Sequence, residues 1–335
     1  MLAMKRTVYC QITESRWLLF GISCLWIFFR HTFFYNQYEY GFFDPIVQIG
    51  DCGVDIFLFL SGYGLYFSYT KDHDIKIFYK KRFWRIIPPV IILLLAFSLI
   101  EILCGNAISK YLSPLHWIWQ IYCIYWYVGA IILFYLAFPF IYKVAKENAA
   151  LSLLFSFIIA FGGIFIVKAS DVNTLGQLII YFARVPIFVL GCVLAYKSEW
   201  LEKRGLFLLI LLFGIPLLYI IPKDIQRLCY SFTTIGIILI LSYIQYFTPK
   251  KLSHLICVIG KSSLEFYLIH IFLLSHNMLD LINHYVNFTI LTSIIGLIIS
   301  CIMSIIAHKV IEYFVGRIRN RLSTPSDPSQ LTNFT

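Results

Sequence analysis

Long apolar runs separated by short polar ones set the pattern of the chain. They fall at about residues 17–36, 46–69, 86–104, 119–142, 150–168, 175–196, 205–221, 228–247, 262–282 and 288–311. Roughly 20 apolar residues are needed for a helix to cross a bilayer. The pattern therefore predicts an all-α, polytopic membrane protein with about ten transmembrane helices. An even number of crossings puts both termini on one side. By this reading, about 21 Lys and Arg fall on the side of the termini and about 4 on the other, which makes both termini cytoplasmic.

Composition agrees with this picture. The 335 residues are 60% apolar and 13% charged, with a mean hydropathy of +0.81. Soluble domains carry nearer a quarter charged residues, so a soluble fold is excluded, and so is a disordered chain. In a soluble protein the net charge of +10 would suggest nucleic acid; here it follows from topology, and no nucleic-acid partner is expected. The nine cysteines are scattered without metal-ligand or disulfide spacing, so no metal is expected. One transmembrane domain over 1–322 is expected, with a short polar tail over 323–335 that is disordered. The first run, near Lys5, Arg6 and Arg16, is too long for a signal peptide and lacks a cleavage site, so it reads as an uncleaved span.

Ionisable groups inside spans are costly and become candidate functional residues. Here they are His31, Asp51, Asp55, Glu101, Arg184, Glu265, His270 and Asp280. Counting helical rise from the basic side places His31 roughly 22 Å deep and Asp55 roughly 21 Å deep. At one level, Asp55 is a candidate partner that orients His31 as a general base. The competing reading of His31 is a helix-packing histidine. On the same count Arg184 lies at roughly 16 Å, His270 at roughly 12 Å and Glu265 at roughly 5 Å, a polar path rising from the basic side. Its mouth carries the densest basic run, KIFYKKRFWR (Lys76 to Arg85). Arg82 and Arg85, three apart, share a helix face and suit a phosphate. The run also serves as an ordinary topology signal. Trp126-Tyr127, at the level of His31, is a candidate lining for an acceptor cleft.

These residues resemble the acyltransferase-3 family of integral-membrane acyltransferases. The matching elements are His31 at the end of the first span, GVDIFLFLSGYGL (Gly53 to Leu65), FYKKRFWRIIPP (Phe78 to Pro89), WYVGAIILFYLAFP (Trp126 to Pro139), RVPIFVLG (Arg184 to Gly191) and SSLEFYLIH (Ser262 to His270). They occur in order over roughly residues 16–275. The resemblance implies a ten-helix fold, cytoplasmic acyl-CoA as donor, His31 as the essential histidine, and Arg82 and Arg85 as donor-binding residues. One departure stands out: the family's arginine eleven residues before the histidine is Phe20 here, followed by Gly21. Arg16, one turn away near the same face, is the candidate substitute.

Together these readings give an expected function: O-acyl transfer, with acetyl-CoA as donor and a hydroxyl of a cell-surface or lipid-linked glycan as acceptor. The site would comprise His31 and Asp55 for the chemistry, and Arg82, Arg85, Arg184, Glu265 and Arg16 for the donor. The expected location is the inner or plasma membrane, among its lipids. A glycolipid or small-anion transporter, or flippase, is the alternative; against it, the sequence has no repeated halves. A glycan polymerase or ligase would need a large external loop, and none is present.

Overall fold

The computed structural model describes residues 7–170, 172–218, 220–221 and 223–323, and all regular structure among them is helical. The polar tail begins at its last described residue, Ser323; the remainder lies outside the described residues. Helix α1 is Val8–Tyr35, α2 Cys52–Lys71, α3 Ile75–Leu103, α4 Trp126–Glu147, α5 Ala149–Ala169, α6 Leu178–Ala183 and α7 Val185–Tyr196. They are followed by α8 Arg204–Leu218, α9 Lys223–Ile244, α10 Lys250–Lys261, α11 Ser263–Ser275, α12 Met278–Val286 and α13 Thr289–Ser323. Side chains at the starts mark several boundaries. Thr7 caps α1, and Asp74 caps α3 by accepting from the backbone N–H groups of Lys76 and Ile77 at 2.7 and 3.1 Å.

Among the described residues, seven segments are long and apolar enough to cross a membrane. They are α1, α3, α4, α5, the stretch Asn173–Tyr196, Gln226–Ile244 in α9 and Thr289–Arg319 in α13. An eighth arises if α10 and α11 are taken as one span bent by 76°. The expected straight helix over 262–282 is thus replaced by a broken one. It ends at Ser275 and resumes as α12 after Asn277, whose φ of 53° is left-handed. Helix α2 falls outside the seven because Gly, Ser, Tyr and Asp interrupt its apolar run. With fourteen of its 20 residues buried, protein rather than lipid surrounds it.

The outer helices show the amphipathy of a membrane protein. On α5 the large side chains Leu154, Ile158, Phe161 and Phe165 form one exposed stripe, while Ser152, Ser156, Ala160 and Gly163 face inward. On α13 Ile294, Ile298, Ile302 and Ile306 point out, and Ser293, Ser300 and Ser304 are buried. Small inward residues let helices approach where lipid supplies no hydrophobic drive between them.

The interior is built on α2 and α7, which pack against each other over much of their length. Two glycines allow this crossing. A Cβ on Gly62 would strike the backbone oxygen of Phe188, and one on Gly191 would strike that of Phe59. The same device joins α1 to α10, where a Cβ on Gly260 would meet the backbone oxygen of Trp17 and one on Gly21 that of Ile256. The first crossing sets Arg184 beside Asp55; the second brings Lys261 to the side of α1 that carries Arg16.

Candidate functional site: a cation-lined cavity leading to a histidine pair

A cavity of about 360 Å³ lies between α1, α2, α3, α4, α11 and the distal half of α13. Along α1 it is lined by Arg16, Trp17, Phe20, Cys24 and Ile27. Those eleven steps span about 17 Å at helical rise. Arg85, Lys261 and His308 join Arg16 on the polar lining, with the carboxylates Glu265 and Glu312, while Phe57, Ile131 and Tyr127 supply apolar walls. Lining residues on α11 run from Ser263 to His270. His31 is the next side chain after Ile27 on that face of α1, and its Nδ1 lies 2.9 Å from His270 Nε2.

The cationic part has a definite construction. Arg16 lies over the rings of Trp17 and Phe20, 5.5 and 5.4 Å from their centroids. Its Nε has no hydrogen-bond partner. Gly64 leaves room for this guanidinium, because a Cβ there would come within 3.2 Å of it. Arg85 lies over the other side of the same region, 5.8 Å from the Trp17 ring. Pro88 and Pro89 follow in α3, so the carbonyls of Trp84 and Arg85 lack their usual helical donors beside the cavity. Glu265 accepts from His308 Nδ1 at 3.0 Å.

The arginine pair divides. Arg85 lines the cavity, whereas Arg82 is not among its lining residues: it donates to Ser68 Oγ at 2.7 Å and lies over Phe78 and the cavity-wall ring of Tyr135. Lys81 pairs with Asp72 at 3.2 Å. That bond, with the backbone N–H of Asp74, holds the Asp72 carboxyl below the usual carboxylate range.

One expected pairing and one expected lining residue are corrected. Asp55 does not orient His31: it is fully buried and accepts from Arg184 Nη1, and Arg184 is itself only 2% exposed. Arg184 is therefore held by Asp55 and the Tyr230 ring rather than lining the cavity. Glu265 lines the cavity as expected, and its hydrogen-bond partner is His308 on α13. Asp51 pairs with Arg30, Glu101 with Lys110 and His276, and Asp280 accepts from Asn36 and Tyr38. These groups tie helix ends together.

Several cavity residues were not among the expected donor or catalytic residues: Lys261, His308, Glu312 and His270 as the partner of His31. A signal for two of them exists in the sequence. His308 and Glu312 stand four apart on one face of a helix that carries no charged residue before His308. The π-helical turn Gln120–Ile124 just before α4 is stitched by Tyr267, whose hydroxyl lies 3.3 Å from the Tyr127 N–H and 3.5 Å from the Ile124 oxygen. That contact fixes Tyr127 in the cavity wall.

Fold and cavity together define a multi-pass membrane protein whose helical bundle encloses a largely apolar chamber that also carries Arg16, Arg85 and Lys261. The chain belongs to the acyltransferase-3 family: the family model, an acyltransferase domain, matches residues 19–309. It is thus a membrane acyltransferase. No curated protein and no solved structure matches it.

Proposed function

We propose that the protein transfers an acetyl group from acetyl-CoA to a hydroxyl of a cell-surface or lipid-linked glycan, from the inner or plasma membrane. In this reading about ten spans cross the bilayer, both termini are cytoplasmic and the cationic part of the cavity opens toward the cytosolic donor. The observation that carries the reading is the continuity of one cavity from Arg16, Arg85 and Lys261 to His270, whose Nε2 lies 2.9 Å from His31 Nδ1. Three cations and an unpartnered guanidinium nitrogen suit a phosphorylated ligand. The volume, within the range of small-molecule sites, suits a thin acyl-pantetheine arm.

Arg85, Arg16 and Lys261 hold the donor's phosphates, and Arg82 braces α3 against α2 behind them. Glu265 keeps His308 in place on the cavity wall. His31 takes the proton from the acceptor hydroxyl as its oxygen attacks the thioester. The thioester is already activated, so the reading invokes no metal.

The test is transfer of labelled acetyl from acetyl-CoA to glycan in membranes from deletion cells, scored by mass spectrometry. His31→Gln keeps hydrogen-bonding capacity but accepts no proton at neutral pH. It is expected to lower transfer by roughly 10²–10⁴-fold while coenzyme A binding persists. Near-normal transfer by this variant overturns the role of His31. Unacylated glycan in wild-type cells together with glycolipid movement across the membrane would favour the transport alternative.

A further inference from the structure

An imidazole has two nitrogens, and acting as a base requires that the one facing the acceptor be free of hydrogen. The hydrogen-bond chain at the histidine pair decides which nitrogen that is. His270 Nδ1 lies 2.8 Å from the backbone oxygen of Phe266. A carbonyl oxygen only accepts, so His270 Nδ1 carries a hydrogen. Among the described residues neither ring of the pair bonds a carboxylate. His270, 1% exposed, lies among the rings of Phe28, Phe266 and Tyr267, where a net charge at rest is costly. An uncharged His270 with hydrogen on Nδ1 has a bare Nε2, and that atom only accepts. The hydrogen in the 2.9 Å contact therefore belongs to His31 Nδ1, leaving the lone pair on His31 Nε2. Ring geometry fits such a bond. The planes differ by 10° and the centroids are 5.1 Å apart, about the N···N distance plus one ring radius at each end. The rings thus meet edge to edge, with the hydrogen near both planes, as lone-pair geometry prefers.

We propose that His270 is a positioning residue that fixes the tautomer and orientation of His31, as an uncharged counterpart of the aspartate in a Ser-His-Asp triad. The proposal rests on the acyl-transfer reading. During transfer the acceptor hydroxyl gives its proton to His31 Nε2 while its oxygen bonds the acyl carbon. The carbon–sulfur bond then breaks, and the proton passes to the departing thiolate. While His31 holds that proton, its Nδ1–H donates to His270, whose own Nδ1–H donates to Phe266, so the chain spreads the charge without reorganising.

His270→Gln and His270→Asn separate positioning from mere packing. A Gln side chain reaches about as far as Nε2 and offers an amide oxygen to His31 Nδ1–H, whereas Asn ends near Nδ1 and leaves that hydrogen without an acceptor. With labelled acetyl-CoA and deletion-cell membranes as acceptor, Asn is expected to lower kcat about 10²-fold. Gln is expected to keep most of it, and the KM for acetyl-CoA should stay unchanged in both. A second readout needs no transfer: ¹⁵N NMR of histidine-labelled protein, with His31 assigned through His31→Gln, is expected to show hydrogen on Nδ1. In His270→Asn that preference should be lost. Hydrogen on His31 Nε2 in the unaltered protein, or an Asn variant with unaltered kcat, overturns the proposal. An absence of acetyl transfer alongside the expected tautomers refutes the transfer reading and the catalytic use of the pair, while retaining its hydrogen-bond assignment.

Discussion

The guanidinium of Arg184 and the carboxylate of Asp55 share one buried hydrogen bond, and each is the charge that makes the other tolerable away from water. Removing one partner of a buried ion pair strands the other and costs about 3–5 kcal/mol, whereas replacing both by apolar side chains is often neutral. Asp55→Asn should therefore lower the thermal-inactivation midpoint of the detergent-purified protein sharply, and Asp55→Leu with Arg184→Met should recover most of it. A normal midpoint with lost transfer in Asp55→Asn would return Asp55 to the chemistry. The two arginines of the basic run also separate. Arg85 lines the cavity and Arg82 bonds Ser68 outside it, so Arg85→Ala should weaken coenzyme A binding by about 1.5–3 kcal/mol, and Arg82→Ala by much less. Equal losses measured by titration calorimetry would contradict this division. Residue types were legible in the sequence, but partners were not. Counting helical rise put His31 and Asp55 at one level, but the α1–α2 register does not: Gly53 packs against Ile27 and Ser23 and Phe57 stacks on Phe20, so Asp55 lies beside the middle of α1, below His31. Asp55 is turned toward α7, and His31 toward α11.

Helix crossings set those directions. At the α2–α7 contact two backbones touch through Gly62 and Gly191, and any side chain at either position pushes the helices apart. Overpacking of a close-packed interior costs about 1–3 kcal/mol, so Gly191→Ala should destabilise the protein and disturb the Arg184–Asp55 bond. Gly162 on α5 is the internal control: a Cβ there meets nothing within 4 Å. Gly162→Ala should be neutral or gain up to about 1 kcal/mol from helix propensity. Similar losses in both variants, measured as inactivation midpoints, would show that the glycines matter only as glycines and not through the crossing. At this scale the helical character of the apolar runs was legible, because apolar length is a local property; among the described residues seven long apolar helices result, or eight with the bent pair. The break at Ser262 was not used, although Lys261 lies between two apolar stretches, each too short to span alone. Measuring depth along a straight helix from residue 262 separated His270 from His31 by roughly 10 Å. The 76° bend removes the premise of that count, and the two rings meet.

The cavity as a whole draws on residues from Arg16 to Glu312, nearly the full length of the chain. Motif order along the sequence identifies the family, but it carries no information on which helices are neighbours, so Lys261, His308 and Glu312 became visible only in the folded bundle. The arrangement does constrain orientation. Arg16 lies near the start of α1, Arg85 near the start of α3 and Glu312 near the end of α13, yet all three line one cavity. In the proposed topology the beginning and end of the described chain lie on the same side of the bundle, the side to which the sequence assigns most Lys and Arg. Cytosolic loops of membrane proteins are enriched in those residues, and a phosphorylated cytosolic donor would need the cationic lining on that side. A fluorescent protein that folds only in the cytosol, fused after Thr335, should therefore fluoresce. Alkaline phosphatase, active only outside, should be inactive at that position and active when inserted near Asn106, between α3 and α4. A dark C-terminal fusion together with phosphatase activity there would invert the bundle, turn the cations away from the cytosol and remove the route by which acetyl-CoA reaches His31.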